Sequence, residues 1–209
     1  MSSITYINDM LYVGGDPEYS MDIRGDIALL NAQVDLIIDC RSIGEARMGG
    51  WADHRDLDVP ILHIPMYDDL RNQNSPQDFL DALEAVDRDY PNAKSFYIHC
   101  HMGVNRGPSM ALFFMINRFG MTAKEAFLQL RQMRPGVGLA YAEQAVAAAL
   151  TMTSGQVNAD INLWLQFEED YWTEDEVKTV NERIRRNRNH SMQRAYTDAR
   201  GIEHITRGA

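Results

Sequence analysis

Apolar positions along this chain follow two spacings. Short apolar runs bounded by turn residues occur at 4–7, 10–13, 34–39, 59–65 and 94–98. Each has the length and β-branched or aromatic content of a buried strand. Asn8-Asp9 between the first two runs is turn chemistry and predicts a hairpin. Prolines at Pro60 and Pro65 flank the fourth run and predict a place near the sheet edge. Helical spacing appears at 23–31, carried by Ile23, Ile27, Leu29 and Leu30. A second helix starts at Ser75-Pro76, a capping residue followed by proline at the first helical position, and Pro91 ends it. Phe79, Leu80, Leu83 and Val86 mark its inward face.

The run at 94–98 leads into His99-Cys100-His101-Met102-Gly103-Val104-Asn105-Arg106-Gly107-Pro108-Ser109, and then into the apolar helix pattern of 110–116. Gly120 lies past the end of that helix. Thr122-Ala123-Lys124-Glu125 is a capping box opening another helix, with Phe127, Leu128 and Leu130 inward. Residues 139–152 are alanine-rich and helical in pattern, and 41–58 read as loop and short helix. Strands and helices alternate up to about residue 152, which predicts an α/β fold: a mostly parallel central sheet with helices on both faces.

A change of character follows Thr153-Ser154-Gly155-Gln156, so 1–152 is expected to be one domain and 153–209 a helical C-terminal extension with a flexible end. Trp164, Phe167, Tyr171 and Trp172 are expected to dock that extension on the first domain. The basic run of Arg183, Arg185, Arg186 and Arg188 follows an acidic stretch and is expected to pair within the chain or lie solvated.

Composition narrows the function classes. The 209-residue chain is 45% hydrophobic, ordinary for a globular protein. No apolar run reaches the ~18 residues of a membrane span, and the first residues lack a leader pattern, so no membrane contact is expected. The net charge of -10 disfavours nucleic acid as a partner. Cys40 and Cys100 are too few for a disulfide framework or a four-cysteine zinc site, and a reducing cytoplasm is the expected compartment. No cofactor or metal is expected, because adjacent residues of His99-Cys100-His101 leave a strand in opposite directions and cannot easily share an ion, and no further ligand cluster stands out.

The chemistry concentrates at Cys100. Five residues separate it from Arg106, Gly103 permits a tight curve, and a helix begins at once. A strand, a tight loop and a helix N-terminus form an anion cup of backbone N–H groups. His101, Met102, Gly103, Val104, Asn105 and Arg106 would line it, with Arg106 closing it through two parallel hydrogen bonds. The same field favours the thiolate of Cys100, which could attack phosphorus and carry the phosphoryl group covalently. The leaving oxygen needs a proton, and Asp68 or Asp69 on the loop after the strand at 59–65 could supply it. The residues thus point to a cysteine-dependent phosphatase. Asp39, Arg41, Glu45 and Arg47 read as solvated surface charges.

From Ile4 to Leu150 the chain resembles the dual-specificity branch of the protein tyrosine phosphatase superfamily. Met10-Leu11-Tyr12-Val13-Gly14 is similar to the family's leading strand, and His99, Cys100, Gly103 and Arg106 match its catalytic loop in place. The resemblance implies Cys100 as nucleophile, Arg106 as phosphate clamp and His99 as the residue that tunes the thiolate from behind. It favours Asp68, after Ile64-Pro65-Met66-Tyr67, as general acid, with Asp69 in reserve. It implies phosphotyrosine and phosphoserine or phosphothreonine on proteins as substrates. RNA 5′ ends, nucleotides or lipid headgroups rank lower, because the loop has no lysine. Some relatives carry a second cysteine where Cys40 stands, and pair it with the nucleophile on oxidation. The chain departs from the family at Gly107, where a serine or threonine usually helps the thiolate leave. A slow second step or a phosphate-binding trap is the expected consequence.

Overall fold

The computed structural model describes residues 3–68 and 74–152. The extension expected at 153–209, its docking aromatics and its basic run lie outside the described residues. Five strands form one sheet in the order β1-β2-β5-β3-β4. These are β1 (Ile4–Asn8), β2 (Leu11–Gly14), β3 (Leu36–Asp39), β4 (Ile61–His63) and β5 (Phe96–His99). β1 and β2 are antiparallel, and every other pairing is parallel. The hairpin turns where Asn8 Oδ1 accepts from the Met10 N–H at 3.0 Å. The proline-flanked strand is indeed the sheet edge, where missing N–H groups cost no ladder bond.

Among the described residues, six α-helices follow the predicted order: α1 (Ile23–Gln33), α2 (Ile43–Ala46), α3 (Pro76–Asp89), α4 (Arg106–Asn117), α5 (Ala123–Met133) and α6 (Ala142–Met152). The alternation of strand side chains divides them between two faces. Tyr12, Ile37 and Tyr97 meet Ile27 and Leu30 of α1 and the fully buried Trp51 on one face. Phe96 takes the other face and packs edge-on to Phe114 of α4, with ring centroids 5.4 Å apart. α4 is buried continuously from Arg106 to Met115, which explains a helix apolar all round. On α3, Phe79, Leu83 and Val86 are buried while Leu80 is half-buried, and on α5 Leu128 is likewise half-buried.

The register places the site. Gly14 and Asp39 both align with His99, and His63 aligns with Asp39. Four parallel strands therefore end on one line. The loops leaving that line hold the functional residues, as in open α/β sheets generally. No helix among the described residues is long and apolar enough to cross a membrane.

Candidate active site

Cys100 leaves the end of β5 with only 2% of its surface exposed, and Arg106 opens α4 with 1% exposed. The curve between them needs Gly103, whose φ is +65°. A Cβ there would lie 2.4 Å from the Gly14 backbone. The close approach of loop to β2 thus excludes any side chain at that point. The curve is gripped from outside. Asp16 N–H donates to the His101 carbonyl at 2.8 Å. Arg134 Nε donates to the Gly103 carbonyl at 2.9 Å while its Nη1 reaches Thr5 Oγ1 at 2.7 Å. Gly138 N–H donates to the Val104 carbonyl at 2.8 Å.

The Arg106 guanidinium faces two carboxylates. Glu45 accepts from both of its terminal nitrogens, at 2.5 and 2.9 Å, the paired geometry of a strong charge-assisted contact. Asp68 accepts from Nη2 at 3.3 Å, and the Met66 carbonyl from Nη1 at 3.4 Å. Burial alone would push Glu45 upward, but the guanidinium beside it and the Ser42 hydrogen bonds hold its pKa at about 2. Asp68 is half-exposed. Its loop is pinned next door. The buried Asn74 accepts from Tyr67 N–H and donates to the Tyr67 carbonyl, which also accepts from Tyr141 Oη at 2.8 Å. The reserve candidate Asp69 lies outside the described residues.

Beneath the loop sits a buried charge cluster, where sequence reading had expected solvated charges. Arg41 is 4% exposed and makes paired contacts to Asp39, the shortest at 2.8 Å, plus one to Asp16 at 3.1 Å. Its Nη1 also donates to the Gly49 carbonyl. Two carboxylates can be buried here because each shares that cation. His99 is fully buried between them, with Nδ1 3.8 Å from Asp16 and Nε2 3.6 Å from Asp39. Burial outweighs both carboxylates and pushes its pKa down, which favours the neutral imidazole behind Cys100. Of the expected surface set, Arg47 alone is exposed.

Cys40 is fully buried at the end of β3, and its N–H donates to the His99 carbonyl at 2.7 Å. Burial and the neighbouring Cys100 push its thiol pKa well up, so it is a thiol rather than a thiolate. His101 and Met102 are partly exposed at the mouth, Val104 and Asn105 half-buried. His99, the last residue of β5, is fully buried, whereas His101 lies past the strand end in the loop and is a third exposed. Ser109 is buried and its hydroxyl accepts from Tyr141 N–H at 3.3 Å, so it is committed to packing α4 against the chain before α6.

The structure adds Glu45, Asp16 and Arg134 to the residues expected. Ser42-x-x-Glu45 is legible as a capping box, and Glu45 does accept from the Ser42 N–H at 2.8 Å. Its second partner, Arg106, lies 61 positions away and leaves no local signal. Asp16 could have been suspected from its place just past the end of β2.

A mostly parallel sheet delivering a buried cysteine and a carboxylate-held arginine at its carboxyl edge defines the cysteine-loop phosphatase class. Residues 12–145 match the family model described as dual specificity phosphatase, catalytic domain, and the chain belongs to that family. A probable tyrosine-protein phosphatase of Candida albicans (strain WO-1) is 22% identical over 125 residues, which is 60% of this chain. The chain spans only about a fifth (19%) of that curated relative's length. Among solved structures, a mouse putative dual specificity phosphatase complexed with zinc tungstate superposes with a TM-score of 0.55 at 19% identity, covering 77% of this chain and 92% of that one. PTPMT1 in complex with PI(5)P gives a TM-score of 0.57 at 14% identity, covering 73% and 98%. These two likenesses establish the shared fold.

Proposed function

We propose that the protein hydrolyses phosphate monoesters on phosphoproteins, at phosphotyrosine and phosphoserine or phosphothreonine, through a cysteinyl-phosphate. The observation that carries this reading is the Arg106 guanidinium, which bonds Asp68 at 3.3 Å from one end of the six-residue step that begins at Cys100. Nucleophile loop, clamp and acid thus belong to one site. In the reaction Arg106 and the loop N–H groups hold the equatorial oxygens. The Cys100 sulfur attacks phosphorus in line, and the P–O bond to the substrate breaks as Asp68 gives its proton to the leaving oxygen. Asp68, now a carboxylate, takes a proton from water as that water attacks the phosphocysteine and releases phosphate. Glu45 holds both terminal nitrogens of the guanidinium in place, so little rearrangement is needed when phosphate arrives.

The mouth supports a peptide rather than a polyanion. Glu18, Glu45 and Asp68 surround it, and the loop carries no lysine. Beside these acids stand exposed apolar side chains: Ile43 and Met48 flanking Glu45, Tyr67 beside Asp68, and Met102 in the loop. An acidic and apolar rim repels a headgroup or nucleic acid bearing further phosphates. The PTPMT1 structure holding PI(5)P makes a lipid headgroup the reading to set against this one. Initial rates on phosphotyrosine and phosphothreonine peptides, a short-chain phosphoinositide and a 5′-phosphorylated oligoribonucleotide separate the two. The peptides should show the highest kcat/KM. Faster turnover of the phosphoinositide or the oligonucleotide would overturn the assignment.

A further inference from the structure

The mouth of the loop carries a second constellation that the phosphatase chemistry does not use. His101 is a third exposed, and its Nδ1 donates to Asp16 Oδ2 at 2.7 Å. Asp16 is itself fixed: its side chain is 7% exposed, Arg41 holds its other oxygen at 3.1 Å, and its N–H is bonded to the His101 carbonyl. The imidazole is thereby locked in orientation and tautomer by a buried carboxylate, the arrangement that prepares a histidine for metal ligation. The remaining nitrogen, Nε2, faces Glu18 Oε1 at 3.4 Å and the Tyr19 hydroxyl at 3.2 Å. One ligand atom each from Asp16, Glu18 and His101 lie within 4.8 Å of one another. The short 3-10 turn Pro17–Tyr19 places Glu18 and Tyr19 beside the ring, and the half-exposed Glu18 can turn toward an ion.

We propose that Asp16, Glu18 and His101 form a divalent-cation site at the rim of the catalytic loop, suited to zinc. His101 Nε2 and Glu18 are the direct ligands. Asp16 holds Nδ1–H from behind, and water completes the shell. Imidazole with carboxylate is a donor set that favours zinc over calcium or magnesium, which take oxygen ligands. The second ligand comes from the segment after β2, which no spacing within the loop reveals. The ion would sit next to Cys100 along the chain. Its positive charge at the rim would partly neutralise the acidic mouth, and its ligation would tie the Pro17–Tyr19 turn to the loop.

Zinc titration of the full-length Cys100→Ser protein by calorimetry tests this with the competing thiolate removed. One ion per chain should bind. Glu18→Gln in the same background should weaken binding by about tenfold or more, the scale on which even partners of ligands count. Cobalt(II) should give ligand-field bands without a thiolate charge-transfer band. In chelator, Glu18→Gln in the otherwise wild-type protein should keep an unchanged Tm, which rules out misfolding as the cause. Loss of zinc binding on Cys100→Ser, or equal affinity with and without Glu18, would overturn the proposal. These readouts do not depend on the substrate assigned above, so either reading can fail alone.

Discussion

Gly107 is the residue where this loop leaves its family, and the structure gives the departure a steric basis. A Cβ built there would lie 2.9 Å from the His99 carbonyl carbon and 3.0 Å from the Cys100 nitrogen. Both are backbone atoms with no freedom to yield. The first turn of α4 therefore sits too close to the end of β5 to admit the usual hydroxyl. Ser109, the next hydroxyl along, is spent on Tyr141. Two outcomes are expected. Gly107→Ser should not accelerate the wild type but should lower both kcat and stability, the latter by about 1–3 kcal/mol, as overpacking does. With a good aryl phosphate, rapid-quench kinetics on the wild type should show a burst of phenol before a slower steady state. A linear time course, or a faster Gly107→Ser enzyme, contradicts this account.

At the scale of elements, the segment from β3 through α2 links the buried charges to Arg106. Asp39 ends the strand, Arg41 joins it to Asp16, and the capping box of α2 presents Glu45 to Arg106. Little of this was legible beforehand. Ser42 and Glu45 announced a helix start, but charged residues in a polar stretch carry no mark of burial, and each partner comes from a distant element. The strands, the helix starts and the edge position of β4 were legible because period, capping and proline act locally. Leu80 and Leu128 were over-assigned to the core because helical spacing fixes a face, not how far the neighbouring helix covers it.

Glu45→Gln tests the link. It keeps the shape but removes the charge facing Arg106, and should lower kcat/KM by roughly 10–100-fold, as small misplacements of a clamp do. The pH dependence has a definite sign. The pKa of Glu45 is depressed to about 2 in the folded protein, against ~4.3 unperturbed. Its contribution to stability is therefore fully present above pH ~4.3 and is lost as pH falls toward 2. The Tm gap between wild type and Glu45→Gln should narrow over that window. A gap independent of pH there would remove Glu45 from the role.

Among the described residues, four parallel strands end in register and gather at one edge a cysteine, an arginine, an acid and their supports from separate stretches of chain. The loop could be read from sequence because Cys100, Gly103 and Arg106 share one stretch with one spacing. Asp68 could be placed because it follows a strand that had to end at the same edge. Glu45 and Arg134 could not, since nothing but the folded sheet brings them there, and Asp16 only through its place just past the end of β2. All of this geometry serves one claim, that the Cys100 sulfur takes the phosphoryl group from the substrate. Acid-quenched intact mass spectrometry during turnover of an aryl phosphate tests it most directly. The account predicts an adduct of one phosphoryl group, localised by peptide mapping to Cys100 and absent from an inactive Cys100→Ser protein. Sustained turnover by Cys100→Ser, or a phosphoryl group on any other residue, would contradict it.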